Sequence, residues 1–406
     1  MKTIILLVLY PILVLTAIVE WGPTVKVSGN SNTKRFAAVH HCSGTDVTHI
    51  FWEELGDDRD YHLFYRTRLG TGQLTQKKML SGDRPVTEFY NQISVQATED
   101  GKHILLAYGG YRTASSKGCT TRNEASCIET YFTESFDGGN TWSTPAKVNR
   151  INQHDLVHRS MPSMSLEKDT GRVYITYLYD MNSAMIVREP GKITFDMEKT
   201  LTVYTYSMTM NMGYTISKKD NKRYLHLVWY ENDLEKSRTI YYARSGDGGD
   251  KWEERIVLVK RYKEESVPTL AIDTDSAEGG IYVQYVDNQM LKVLWSKDHG
   301  KTWEAPINVE KALSPYAAMT ICGQTNKGKV FTMNHGLPPI SGSLNYFDAT
   351  SPNIKYLPYP FNEVKGAKNP TLHCSKGKRD GEFTLAAAIL DPGANEFFVI
   401  QGKMTE

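Results

Sequence analysis

The chain has 406 residues, of which 23% are charged, and its 47 lysines and arginines against 46 aspartates and glutamates leave a net charge of +1. That balance gives no electrostatic footprint for nucleic acid or for a strongly acidic partner. Aromatic residues make up 11%, with 24 tyrosines and 7 tryptophans, which suits β-structure and stacking surfaces.

The N-terminus reads "MKTIILLVLYPILVLTAIVEWGP", with Lys2 ahead of an apolar run from Ile4 to Val19 that Pro11 interrupts. This is the pattern of a signal peptide over residues 1–21, with cleavage between Ala17 and Gly22. Retained, it would be an N-terminal anchor slightly short of the ~20 residues of a full span. No second apolar stretch follows, so residues 22–406 are expected to form one secreted or luminal domain, meeting a membrane only if that segment stays. There is no Asn-x-Ser/Thr acceptor, because Pro370 spoils Asn369-Pro370-Thr371.

Seven units follow, each a short alternating strand, a turn and a more apolar strand. They begin near Phe36, Gln92, Pro162, Gly213, Val267, Tyr316 and Asn369, at spacings of 49 to 70 residues. Examples are "NQISVQATEDGKHILLAYGG" and "MPSMSLEKDTGRVYITYLYD". Most units continue into a third strand such as "RTIYYARS" and a fourth such as "WEERIVLV". Four-stranded antiparallel sheets repeated about an axis make a β-propeller. The fold class is therefore all-β, a single propeller with seven blades favoured and six as the alternative. The last unit, ending at "NEFFVIQGKM", lacks a fourth strand, and "TVKVSG" near the N-terminus is placed to supply it and close the ring.

Between the third and fourth strands one turn recurs, as "SFDGGNTW", "SGDGGDKW" and "SKDHGKTW". Ser135, Asp137, Ser245, Asp247, Ser296 and Asp298 can bond backbone N–H groups inside these turns. Gly139, Gly249 and Gly300 permit left-handed angles, and Trp142, Trp252 and Trp303 can pack between blades. A structural role is expected for all three. In a meander they share a face with the first-to-second-strand turns, which leaves the opposite face for binding or catalysis.

These turns resemble those of the Asp-box, or BNR-repeat, proteins of the sialidase superfamily, whose sialidases have six blades. The resemblance implies a glycan as ligand or substrate. Sialidase chemistry uses three arginines that clamp a carboxylate, an aspartate acting as acid and base, and a tyrosine nucleophile helped by a glutamate. "KRFAAV" is similar to the family's opening motif and puts Arg35 at the first clamp position, with Ala37 in place of the family's proline. "FWEELGDDRDYHLFYRT" echoes the stretch that carries the acid, which would be Asp57, Asp58 or Asp60, and "SPYAAM" aligns Tyr316 with the nucleophile. At the second clamp position stand Glu231 and Asn232, and at the third Gln289. With two of three arginines replaced, the chain is expected to be a non-catalytic or divergent member.

The open face offers Glu53, Glu54, Tyr111, Arg112, Asp180, Glu231, Asp287 and His335 from the ends of second strands, and Arg35, His158 and Arg159 from blade entries. That mixture suits a polar glycan or glycoprotein. The alternative is a glycan-processing enzyme: an exo-sialidase, another glycoside hydrolase, or a lyase using the "HDLVHRS" segment with His154 and Asp155. His40, His41 and His373 fall on inner strands and are expected to line the channel or core. No cofactor motif is present, and no cysteine pair has zinc-finger spacing. Of the five cysteines, Cys119 and Cys127 can close a small loop. Cys42 and Cys374, at matching inner positions of the first and last blades, are the favoured second pair. Cys322 with Cys374 competes, and so does an arrangement of three buried thiols.

Overall fold

The computed structural model describes residues 18–405 except 29–31, 83–84, 87–92, 112–127, 149–157, 180–181, 193, 197–198, 202–209, 218–219, 233–237, 263–269, 276–278, 312–316, 323–327, 335–341, 349–350, 362–363, 365–367, 378, 380 and 392. It is a seven-bladed β-propeller. The innermost strands, in chain order, are Lys34–Cys42, Ser94–Ala97, His158–Leu166, Met210–Ile216, Ala271–Asp275, Ala317–Cys322 and Lys368–Lys376. From each, the chain runs outward through antiparallel neighbours, as in Val47–Leu55, Tyr61–Leu69 and Lys78–Met79 of blade 1.

Blade 7 closes the ring. Its third strand, Glu396–Thr405, pairs on its outer edge with two N-terminal pieces, Ile18–Trp21 against Thr405–Gly402 and Val25–Lys26 against Val399–Phe398. The first piece extends the sheet to residues ahead of position 22, the boundary expected from the sequence. Residues 1–17 lie outside the described residues.

Three innermost strands carry a register shift at their entry, between Arg35 and Ala37, between Arg159 and Ser163, and between Lys368 and Thr371. Pro162 and Pro370 fall inside two of these bulges. Proline cannot donate to a ladder, so a bulge on an inner strand with an open edge is where it fits.

Those open edges would otherwise present unpaired N–H groups to the channel. A side chain from the preceding blade covers them at five joints. Ser94 Oγ accepts from Met164 N (3.0 Å), and Ser163 Oγ accepts from Met212 N (3.0 Å). Asp273 Oδ2 accepts from Ile321 N (2.8 Å), Thr320 Oγ1 from Cys374 N (3.3 Å), and His373 Nδ1 from His41 N (3.0 Å). The short polar residues of the inner strands thus satisfy backbone donors from blade to blade.

Apolar clusters fill the joints. Val39, Ile50 and Trp52 of blade 1 pack on Ala386, Ala388 and Phe397 of blade 7, sealing the closure. Burying these side chains supplies most of the stability, at roughly 25 cal/mol per Å² of apolar area removed from water.

The disulfide corrects one expectation. Cys322 is joined to Cys374, with Cα atoms 5.4 Å apart, and Cys42 is a buried free thiol. Side-chain alternation along the strand decides this. Cys374 shares a cluster with Cys322, Leu372 and Phe331 and so faces blade 6. Cys42 clusters with Ala97 and Ile104 and so faces blade 2, away from Cys374. The blade 7–blade 1 joint is occupied instead by His41, His373 and Ser375. Cys119 and Cys127 lie outside the described residues.

Candidate functional site

The three Ser-x-Asp-x-Gly turns are built alike. In the first, Ser135 Oγ donates to Asp137 Oδ1 (2.9 Å) and accepts from Gly139 N (2.8 Å). Asp137 accepts from Thr141 N (2.8 Å) and Thr141 Oγ1 (2.6 Å). The bonds from Thr141 pull the Asp137 carboxyl down to about 2. Ser245 and Asp247, and Ser296 and Asp298, repeat the pattern, with Lys251 N and Thr302 N as the donors.

Each turn docks on the third strand of the preceding blade. A Cβ on Gly139 would meet Tyr65 Oη at 1.8 Å, one on Gly249 would meet Met185 Cε at 2.1 Å, and one on Gly300 would meet Tyr242 Oη at 1.7 Å. All three glycines have positive φ, at 88°, 86° and 75°. Trp142 meets Tyr65 edge-on at 5.1 Å, and Trp303 meets Tyr242 at 4.9 Å. Behind the tyrosines, His49 Nδ1 lies 2.9 Å from Tyr65 Oη and His226 Nδ1 lies 2.7 Å from Tyr242 Oη. Burial pushes His49 down to about 4 and His226 well below the usual histidine range. These groups are committed to packing one blade on the next.

Blade 3 carries no such turn. At its joint with blade 2, Arg188 Nη1 instead donates to Glu134 Oε1 at 2.6 Å, both side chains being nearly fully buried. His103 Nε2 lies 2.8 Å from the other Glu134 oxygen, and Arg188 lies over Phe132.

On the face of blade entries and second-to-third-strand turns, Arg35 lies over the Tyr61 ring, 4.0 Å from its centre. The register pairs Arg35 with Glu53 and Glu54 with His62. Glu53 is buried beside them. The turn between these strands carries exposed Asp58, whose carboxylate is 2.9 Å from His62 Nε2. Slight burial would raise Asp58, but the His62 bond and the Asp60 N–H hold it low.

Several acids assigned to this face are held inside their own blades. Glu54 accepts from Trp52 Nε1 (2.9 Å) and Lys77 Nζ (3.0 Å). Glu231 accepts from Trp229 Nε1 (3.0 Å) and Arg255 Nη1 (2.7 Å). Asp287 pairs with Lys292 at 2.6 Å. Tyr111 is buried against Ile128. Gln289 sits with Asn288 in a two-residue hairpin turn, both at positive φ.

Arg112, His154, Asp155, Asp180, Tyr316 and His335 lie outside the described residues, as do the side chains of His158, Arg159 and Asn232. Arg238 was not singled out in the sequence. It stands opposite Asn232 in the ladder and over the Tyr230 ring at 5.3 Å, a second arginine on a tyrosine at this face. The Tyr230–Arg238 spacing across a hairpin was its only signal. Among the described residues, no group of three or more histidine, cysteine, aspartate or glutamate side chains is placed to hold a metal ion.

The fold is shared widely, and the sequence is not. No family model matches the chain, and neither does any curated protein. Its structure is similar to that of a protein of unknown function from Dyadobacter fermentans, at 11% identity, covering 95% of this chain and 99% of that one, with a TM-score of 0.53. It is also similar to a triple mutant of AofleA from Arthrobotrys oligospora, at 10% identity over 84% and 91% of the two chains, TM-score 0.51. A weaker likeness, TM-score 0.47 at 10% identity over 94% and 70%, is to a mutant of the NanB sialidase of Streptococcus pneumoniae. At these identities the likeness defines a class of fold.

Proposed function

We propose that this chain is a secreted Asp-box propeller of the sialidase type that binds a glycan or glycoprotein and does not hydrolyse sialosides. The binding face is the one of blade entries and second-to-third-strand turns, where Arg35 and Arg238 lie on Tyr61 and Tyr230. An arginine over an aromatic ring sets a cation beside an apolar surface, a pairing that suits the faces and hydroxyls of sugars.

The observation that carries the reading is the state of two clamp positions. Glu231 is neutralised by Arg255 within its own blade, and Gln289 is spent on a tight turn. A sialoside carboxylate bound there loses two charge-assisted contacts, each worth about 1.5–3 kcal/mol. A glycan array and a fluorogenic sialoside assay on the same secreted protein test the reading. Glycan binding that Arg35→Ala weakens, with no turnover, is the expected result. Robust turnover abolished by Arg35→Ala refutes it, and so does an array without any bound glycan.

A further inference from the structure

The innermost strands surround a cavity of about 580 Å³ on the axis of the ring. Its wall reaches from mid-strand residues such as Ser163 and Thr371 to the first-to-second-strand turns at Glu99 and Lys168. It therefore extends toward the side of the Ser-x-Asp-x-Gly turns, away from the face assigned above.

Most polar groups in this wall are already engaged. Ser163 and Thr320 accept backbone N–H groups, and the two Asp273 oxygens take those of Thr274 and Ile321 at 2.8 Å each. Three groups stand apart. His40 is more than nine-tenths buried and lies against the His373 ring, 3.9 Å between centres. Among the described residues, its ring nitrogens have no hydrogen-bond partner. His373 Nδ1 accepts from His41 N, so its neutral ring carries the proton on Nε2. That N–H also has no acceptor among the described residues.

The third group is Lys168. It belongs to blade 3 and lines the cavity together with residues of the six other blades. Lys168 is exposed and, among the described residues, has no ion-pair partner.

We propose that the axial cavity binds a small oxyanion, a carboxylate or a phosphate, with Lys168 supplying the charge and His373 Nε2–H and His40 the short-range hydrogen bonds. The Asp273 carboxylate in the same wall is taken up by two backbone N–H groups, so the Lys168 ammonium and the imidazole N–H, in a cavity within the range of small-molecule sites, favour an anion over a neutral polyol. The polyol can use the imidazoles and gains nothing from the ammonium.

Calorimetric titration of the full secreted chain tests this, with inorganic phosphate, acetate and D-glucuronate as probes and D-glucose as the neutral control. At least one anion should bind, glucose should not, and Lys168→Met should weaken the anion by roughly tenfold or more. Lys168 is exposed in a turn, so the variant should keep the wild-type melting temperature. A response to phosphate alone names phosphate as the group recognised, and one shared by acetate and glucuronate names a carboxylate. Three results overturn the proposal: no heat with any anion up to about 10 mM, equal affinity in Lys168→Met, or glucose binding as well as the anions. Arg35→Ala should leave this binding unchanged, which separates it from the face proposed for glycans.

Discussion

The Tyr242 hydroxyl occupies the space that a side chain on Gly300 would need, 1.7 Å from the position of its Cβ. Gly300 also has a φ of 75°, which an L-residue adopts with strain. Gly300→Ala should therefore destabilise the protein by roughly 2–4 kcal/mol, since the clash and the strain add. Adding Tyr242→Phe removes the nearest atom but leaves ring carbons at 2.4 and 3.0 Å, so it relieves part of the clash and none of the strain, and the double variant should lose somewhat less than the sum of the two single losses. Urea unfolding of the four proteins measures this. Strict additivity would show that the contact is not made.

Asp137→Ala removes the acceptor for both Thr141 donors. The loss should show as a lower melting temperature, as when a helix cap of similar geometry is removed. Because the turn serves blade packing, glycan binding by the folded fraction should be unaffected. An array signal lost at full stability would contradict that.

Cys322 and Cys374 close a loop with a sequence separation of 52. In the chain-entropy account, opening it costs about 4 kcal/mol, an upper value. Cys322→Ser should thus lower the melting temperature by several degrees. Cys42→Ala removes only a small buried group and should change little. Burial pushes the Cys42 thiol up to about 12, so it should resist alkylation until the protein unfolds. Non-reducing peptide mapping should recover Cys322 linked to Cys374. A bond to Cys42 would contradict the packing.

Acid should destabilise the fold well above the carboxylate range. Burial holds His49 at about 4 and His373 at about 3, against 6.5 unfolded. A histidine with a depressed folded pKa favours unfolding once the unfolded chain gains protons. Stability should then be at its full value above pH 6.5 and fall as pH drops toward 4. At pH 5 each of these histidines costs about 2 kcal/mol. Asp273 acts with the opposite sign. Burial raises it to about 6, so it costs stability at pH 7 and returns it as pH falls toward 4. His40 and His226 add to the histidine side, which therefore dominates. Urea midpoints at pH 7.5, 6 and 5 should decline in order, and His49→Phe should flatten the slope. A level profile would refute the assignment.

The buried Arg188–Glu134 pair should be costly to break and cheap to replace. Arg188→Met leaves Glu134 charged and buried, with only His103 beside it, a loss of about 3–5 kcal/mol. The double variant Arg188→Met with Glu134→Leu should recover much of that. Equal stabilities for Arg188→Met and the wild type would mean that the pair contributes nothing to this joint.

Much of the architecture was legible in the chain alone. The strand–turn–strand units near Phe36 through Asn369 are local, since a period-two pattern and its turn residues act over fewer than ten neighbours. The same holds for Ser135 and Asp137, which bond within their own turn. The fourth strand of blade 7 was legible too, because a missing outer strand at one end and a spare one at the other leave few choices. What tertiary structure alone decided is which way each side chain faces across a joint. Cys42 and Cys374 match in sequence position, yet strand alternation sends one toward blade 2 and the other toward blade 6. Glu54 and Glu231 look like ligands of an open face until Lys77 and Arg255, more than twenty residues on, fold back onto them. Lys168 looks like a solvated turn residue until six other blades bring their inner strands around it. These are relations between residues far apart in the chain, and only closing the ring sets the distances between them.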